Sequence, residues 1–282
     1  MTGKAVGKTF FCGVLVLGLV LLAALPAQAG PDKRRLIFAE DFDRLSLRLP
    51  GSPDGRWDTR FSFGGRSLPT NGELQLYVDK SYLGLGLDPF AVAKGVLTIT
   101  ARPAEAGLKA RLGGHAYTSG LLTTEHSFAF TYGYVEVRAR LPAGKGLWPA
   151  FWLLPADRSW PPEIDVFEVL GDRPDRMHMA IHTTRGPTEG SDADVPDLSR
   201  DFHVFGADWG PDRVRWYLDG RQVFEAPTPA DLHRPMYLLI DLAVGGTWPG
   251  APDDSTHFPA EMKIDYVRAW ATPATRSTTY WK

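Results

Sequence analysis

Short segments that alternate strictly between polar and apolar residues, with no amphipathic helix among them, leave this chain few folds. In residues 134–141, Val135, Val137, Ala139 and Leu141 face one way and Tyr134, Glu136, Arg138 and Arg140 the other. Residues 96–101 (VLTITA) alternate as well. Residues 214–218 and 221–224 flank Asp219-Gly220, which reads as a hairpin closed by a two-residue turn. Residues 263–270 read as a closing strand. The 29 glycines and 23 prolines supply the turns that many short strands need. The pattern predicts an all-β, two-layer antiparallel sandwich or a barrel, with one domain over residues 36–271.

The ends read differently. Lys4 and Lys8, an apolar run over 10–25 and the small-x-small step Ala27-Gln28-Ala29 predict a signal peptide over 1–29, cut before Gly30. A retained membrane anchor is the alternative, disfavoured by the shortness of the run. The one cysteine, Cys12, leaves with the signal, so the mature chain has no disulfide although a secreted or periplasmic compartment would permit one. Loss of Lys4 and Lys8 takes the 31 basic residues to 29 against 33 acidic, a formal charge of −4. No basic patch calls for nucleic acid or an anionic membrane. The polar tail, 272–282, carries no strand pattern and is expected outside the sandwich.

The chemistry concentrates in Trp160-Pro161-Pro162-Glu163-Ile164-Asp165-Val166-Phe167-Glu168-Val169. On a flat strand Glu163 and Asp165 share a face, while Glu168 points the other way, into the core. A buried lone charge is costly. One extra residue in the ladder, a β-bulge at Val166-Phe167, would return Glu168 to the face of its partners. Three carboxylates on one face repel, which raises the pKa of at least one. A protonated acid beside an ionised carboxylate is what glycoside cleavage needs. A calcium site or a solvated acidic strand fits the spacing equally well.

The segment resembles the active-site strand of glycoside hydrolase family sixteen, the laminarinase and lichenase group. Two apolar residues before Glu168 match its laminarinase-like branch. The resemblance extends over about residues 36–270, through Asn71-Gly72-Glu73-Leu74-Gln75-Leu76-Tyr77, Gly146-Leu147-Trp148-Pro149-Ala150-Phe151-Trp152, Trp216-Tyr217-Leu218-Asp219-Gly220, Leu242-Ala243-Val244-Gly245-Gly246 and Asp265-Tyr266-Val267-Arg268. It implies a concanavalin-like jelly roll with a concave glycan-binding cleft. It also implies a retaining endo-acting hydrolase of β-1,3- or mixed β-1,3/1,4-glucan, with Glu163 as nucleophile, Glu168 as acid/base and Asp165 between them.

Residues 64–69 and 87–90 look more like bacterial exopolysaccharide depolymerases of the same family, so a succinoglycan-type substrate is the alternative. A glycan-binding lectin on the same fold is a further one. The resemblance places Trp148 and Trp160 at the cleft, Trp152 in the core and His182 against sugar. Asn71, Glu73 and Tyr77 could meet sugar hydroxyls, unless Glu73 pairs with Arg66. Asp241 stands where the family commonly has Asn. A carboxylate only accepts hydrogen bonds when ionised, so a position near the cleft would alter substrate preference. No cofactor is implied for catalysis. A structural calcium is, on Glu40 and Asp265, with charge pairing of these acids as the alternative. The expected partner is a β-linked polysaccharide and the expected state a monomer.

Overall fold

The computed structural model describes residues 1–3 and 34–279. The apolar run and cleavage point expected over 10–30 lie outside them. Residues from 34 onward belong to one compact unit. Among the described residues the strands form one sheet of ten and one of eight, and the helical content is three short 3-10 turns. Of the sandwich and the barrel that the alternation allows, this is the two-layer sandwich, with the jelly-roll architecture that the resemblance implies. Among the strands of the two sheets pairing is antiparallel except between Gln75–Tyr77 and Tyr117–Ser119, which run parallel. The hairpin closes as expected: Asp219 and Gly220 both have positive φ, 49° and 77°, the turn that matches strand twist.

The eight-stranded sheet carries the site. Its order runs Glu189–Asp194, Arg176–His182, Glu163–Glu168, Leu147–Pro155, Met236–Val244, Ala129–Thr131 and Ser277–Thr279, and the eighth strand, Leu121–Thr123, also pairs with Met236–Val244. The last strand corrects the sequence reading. Ser277–Thr279 is not outside the sandwich but pairs in register with Ala129–Thr131. Polar residues without alternation suffice there, because backbone hydrogen bonds to its neighbour hold an edge strand.

The period of two sorts each central strand into faces. Phe151, Leu153, Leu238 and Ile240 enter the main core between the sheets, against Val135, Val137, Phe205 and Trp216 of the other sheet. Their alternates Ala150, Trp152, Tyr237 and Leu239 form a second apolar cluster on the opposite face. That second cluster is the floor beneath the cleft.

One strand breaks the period. Across from Glu163–Glu168, Asp165 pairs with Trp152, Phe167 with Phe151 and Glu168 with Ala150, so Val166 is supernumerary. On the other side Asp165 pairs with Ala180 and Glu168 with His178, which leaves only Met179 opposite Val166 and Phe167. Both of those side chains are buried in the main core, and Glu168 returns to the cleft face. An unbroken ladder would instead bury a carboxylate among Phe and Met, a cost of several kcal/mol. The bulge costs about one ladder hydrogen bond, ~1 kcal/mol.

Trp216, from the ten-stranded sheet, offsets even that. Its buried indole crosses the core and donates from Nε1 to the Asp165 carbonyl at 2.8 Å. Trp216→Phe keeps the ring and leaves that carbonyl without its donor. We expect a loss of about 1–3 kcal/mol in urea unfolding. Trp209→Phe, whose equally buried Nε1 has no acceptor among the described residues, should cost less.

Candidate active site

The cleft over the second cluster encloses about 1150 Å³. Glu163, Asp165 and Glu168 project into it from the bulged strand, and Asp241 from Met236–Val244, on the far side of Leu147–Pro155. Each carboxylate on this face has an indole or imidazole against it. Trp160 Nε1 donates to Glu163 Oε2 at 2.8 Å. Trp148 Nε1 donates to Glu168 Oε1 at 3.0 Å. Trp152 Nε1 donates to Asp241 Oδ1 at 2.7 Å. His182 Nε2 lies 3.2 Å from Asp165 Oδ2 and 3.7 Å from Glu163 Oε1. The contact with Asp165 lacks hydrogen-bond alignment, so Oδ2 has no directed donor.

Four acids in a dry wall cannot all be ionised. Burial pushes the Glu163 carboxyl well above the usual range, and the charge of Asp165 adds to this; His182 and Trp160 oppose it. Burial, then the charge of Glu163, push Glu168 up to about 8. Burial raises Asp165 as well, with Glu168 contributing. Asp241 is pushed up to about 7, by burial first, against the hydrogen bonds that favour its charged form. At neutral pH the set therefore holds protons among its members and offers both an acid and a base.

Of the residues expected to meet sugar, Asn71, Tyr77, Trp148, Trp160, His182 and Asp241 all line the cleft. Their tasks divide. Trp160 is 67% exposed and presents a ring face. Tyr77 is buried, and its hydroxyl donates to Asp241 Oδ2 at 2.7 Å. Tyr77 thus holds the floor and has no hydroxyl proton to spare for substrate. Asn71 spends its amide on Glu73.

Three sequence readings change here. Glu73 does not pair with Arg66: it accepts from Leu68 N, Asn71 Nδ2 and Gln75 Nε2, while Arg66 pairs with Asp79 at 2.8 Å. Trp152 is buried as expected but on the cleft side, where it supports Asp241. Glu40 and Asp265 make the charge pairs given as the alternative to a calcium site. Glu40 accepts from Phe42 N, Trp57 Nε1 and Arg56 Nη1, and Asp265 pairs with Arg138 at 2.7 Å.

Among the described residues, Glu163, Asp165 and His182 bring ligand-type atoms within 4.8 Å of one another. Three atoms, two of them on carboxyls that burial drives toward the protonated form, suit proton sharing better than ion binding. The aromatics Phe63, 67% exposed, and Trp248, 44% exposed, also line the cleft and were not singled out from sequence. Trp248 stands edge-on to Trp148 at 5.4 Å and to His178 at 4.7 Å. Its position just after Gly245-Gly246, where the chain leaves the central strand, is the signal that could have found it.

A curved sheet bearing paired carboxylates and exposed indoles defines a carbohydrate-handling jelly roll. The chain belongs to glycosyl hydrolases family 16, whose model matches residues 63–268. It is 44% identical over 245 residues to the endo-1,3-1,4-beta-glycanase ExsH of Rhizobium meliloti (strain 1021), covering 84% of this chain and 52% of that one. It is 33% identical to a beta-glucanase of Rhodothermus marinus, with 95% of each chain covered. The chain thus spans about half the length of the Rhizobium relative. Among solved structures, the laminarinase catalytic domain of Thermotoga petrophila RKU-1 superposes with a TM-score of 0.71 at 32% identity, covering 85% of this chain and 98% of that one.

The raised carboxyl of Glu168 has a consequence for stability. A group whose folded pKa lies above its unfolded value disfavours the fold once pH rises toward the folded pKa, because only the unfolded chain ionises freely. The penalty is absent below about pH 4 and full above about pH 8. Glu168→Gln should therefore raise Tm at pH 9 by roughly 2–6 °C and much less at pH 5. Differential scanning calorimetry at the two pH values checks this.

Proposed function

We propose that this protein is an endo-acting β-glycan hydrolase that retains anomeric configuration, with β-1,3- or mixed β-1,3/1,4-glucan as substrate. The observation that carries the reading is the return of Glu168 to the face of Glu163, each with its own indole donor and with Asp165 between them. The Rhizobium and Rhodothermus relatives, by name a 1,3-1,4-beta-glycanase and a beta-glucanase, support the substrate class.

In this reading a β-linked chain lies across the cleft, with sugar faces on exposed indoles. Glu163, ionised, attacks the anomeric carbon from the α face. Glu168, protonated, gives its proton to the departing glycosidic oxygen. The glycosidic bond breaks as an α-linked glycosyl ester of Glu163 forms. Glu168, now ionised, takes a proton from water. That water attacks the same carbon from the β face, and Glu163 leaves as a carboxylate. Asp165 and His182 hold charge and protons beside the nucleophile. A binding-only lectin would gain nothing from three repelling acids, which sets that alternative aside.

The same machinery could act on a bacterial exopolysaccharide, and reducing-end release from a panel of glucans and exopolysaccharides separates the two substrates. Export to a secreted or periplasmic location remains part of the proposal. It rests on the N-terminal sequence: the chain should be recovered outside the cytoplasm with its N-terminus near Gly30, and Met1 retained on the recovered protein would count against a cleaved signal peptide.

Glu163→Gln should lower kcat by at least 10³-fold, an order-of-magnitude figure for loss of a nucleophile, while glycan binding persists. Azide added to Glu163→Ala should restore partial cleavage and yield an α-glycosyl azide. A β-azide would contradict the assigned roles. With the acid needed in its protonated form and its pKa pushed up to about 8, kcat/KM should fall as pH rises through about 8. That alkaline limb should be missing in the residual activity of Glu168→Gln.

A further inference from the structure

A second concavity of about 460 Å³ lies beside the cleft, with Arg60 lining it and the next residue, Phe61, lining the cleft. The chain turns tightly over 61–65, with Phe61 N bonded to Gly65 O and Gly64 N to Phe61 O. Phe61 and Phe63, stacked 5.3 Å apart at 9°, face the cleft from this turn. Arg60 just before it and Arg66 just after it line the second concavity. A second bridge lies across from the turn. Arg158 belongs to the cleft and His126 to the concavity, and Arg158 Nη2 is 3.4 Å from His126 Nε2. The turn thus joins the wall of the cleft to the wall of this concavity.

Its charges are arranged unevenly. The two acids that line it are buried and already satisfied. Asp79 accepts from Thr59 Oγ1, Ser81 and Arg66 Nη2, and Asp58 is 2.9 Å from His126 Nδ1. Arg48 and Arg60 have no carboxylate partner among the described residues, and both line the concavity. Backbone pairing holds the segments that carry them. Arg48 N donates to Trp57 O at 2.7 Å, and Asp58 exchanges both backbone bonds with Thr123 just before Arg60. Tyr82, with the Arg66 guanidinium 5.1 Å over its ring, adds an aromatic wall.

Two guanidiniums without carboxylate partners among the described residues, beside acids that are buried and hydrogen-bonded elsewhere, suit a carboxylate. We propose that this concavity binds a carboxylate-bearing substituent of the glycan through Arg48 and Arg60. Resting on the hydrolase reading above, the inference narrows the substrate to β-glycans that carry acidic groups beyond the segment being cut.

The test compares a neutral linear β-1,3/1,4-glucan with its sparsely carboxymethylated derivative. The wild-type protein should show a KM about fivefold lower on the carboxymethylated polymer, an advantage that fades in 0.5 M NaCl as the charges are screened. Arg48→Ala/Arg60→Ala should lose the advantage while kcat and KM on the neutral polymer stay as they were. Arg48→Lys/Arg60→Lys should recover part of it. Equal KM values for the two polymers in the wild type, or a variant that weakens both alike, would overturn the arginine site and leave the hydrolase reading standing. Cleavage of neither polymer, nor of any β-glycan in the panel, would remove the hydrolase reading and this inference with it.

Discussion

The site depends on one irregularity in one ladder. Val166 and Phe167 stand together opposite a single residue on each neighbouring strand. That extra residue lets three acids share a wall while two large side chains still enter the core. Trp216 makes the arrangement a property of both sheets, because its indole reaches from the ten-stranded sheet to the carbonyl at the bulge. The separation of Glu163 from Glu168 is thereby set by core packing as much as by the strand that carries them.

The cleft is built against the ordinary preferences of a protein interior. It gathers carboxyls where water is scarce and supplies neutral N–H donors from Trp148, Trp152 and Trp160 rather than guanidiniums. A guanidinium would hold each acid ionised and end its use as a proton donor. An indole stabilises the oxygen it touches without adding charge, so proton affinity stays high. Its ring also offers an apolar face to a sugar. One residue type thus serves both the electrostatics and the binding.

Much of this was legible in the chain. Alternation over 134–141 and the Asp219-Gly220 turn identified strands and a hairpin because a half-buried sheet leaves a period of two in sequence. The wrong parity of Glu168 pointed to the bulge, since a buried charge is too costly to leave unexplained. What stayed hidden were pairings between distant segments. Tyr77 and Asp241 lie 164 positions apart, and nothing local marks Tyr77 as a floor residue rather than a sugar contact. Arg66 found Asp79 rather than Glu73 because side-chain direction along an irregular segment has no period to read. Ser277–Thr279 was missed for a related reason: backbone pairing at an edge leaves little trace in side-chain pattern.

The two edges of the cleft-bearing sheet are closed by different means. At one edge Glu189–Asp194 presents Glu189, Asp192 and Asp194, charges that discourage a foreign strand from adding on. At the other, Ser277–Thr279 occupies the hydrogen-bonding groups of Ala129–Thr131, whose side chains are fully buried. The chain's own last described strand is thus a cover against self-association. Without it the sheet would end in an apolar three-residue template open to another molecule, and colloidal stability rather than turnover would be the first property to suffer.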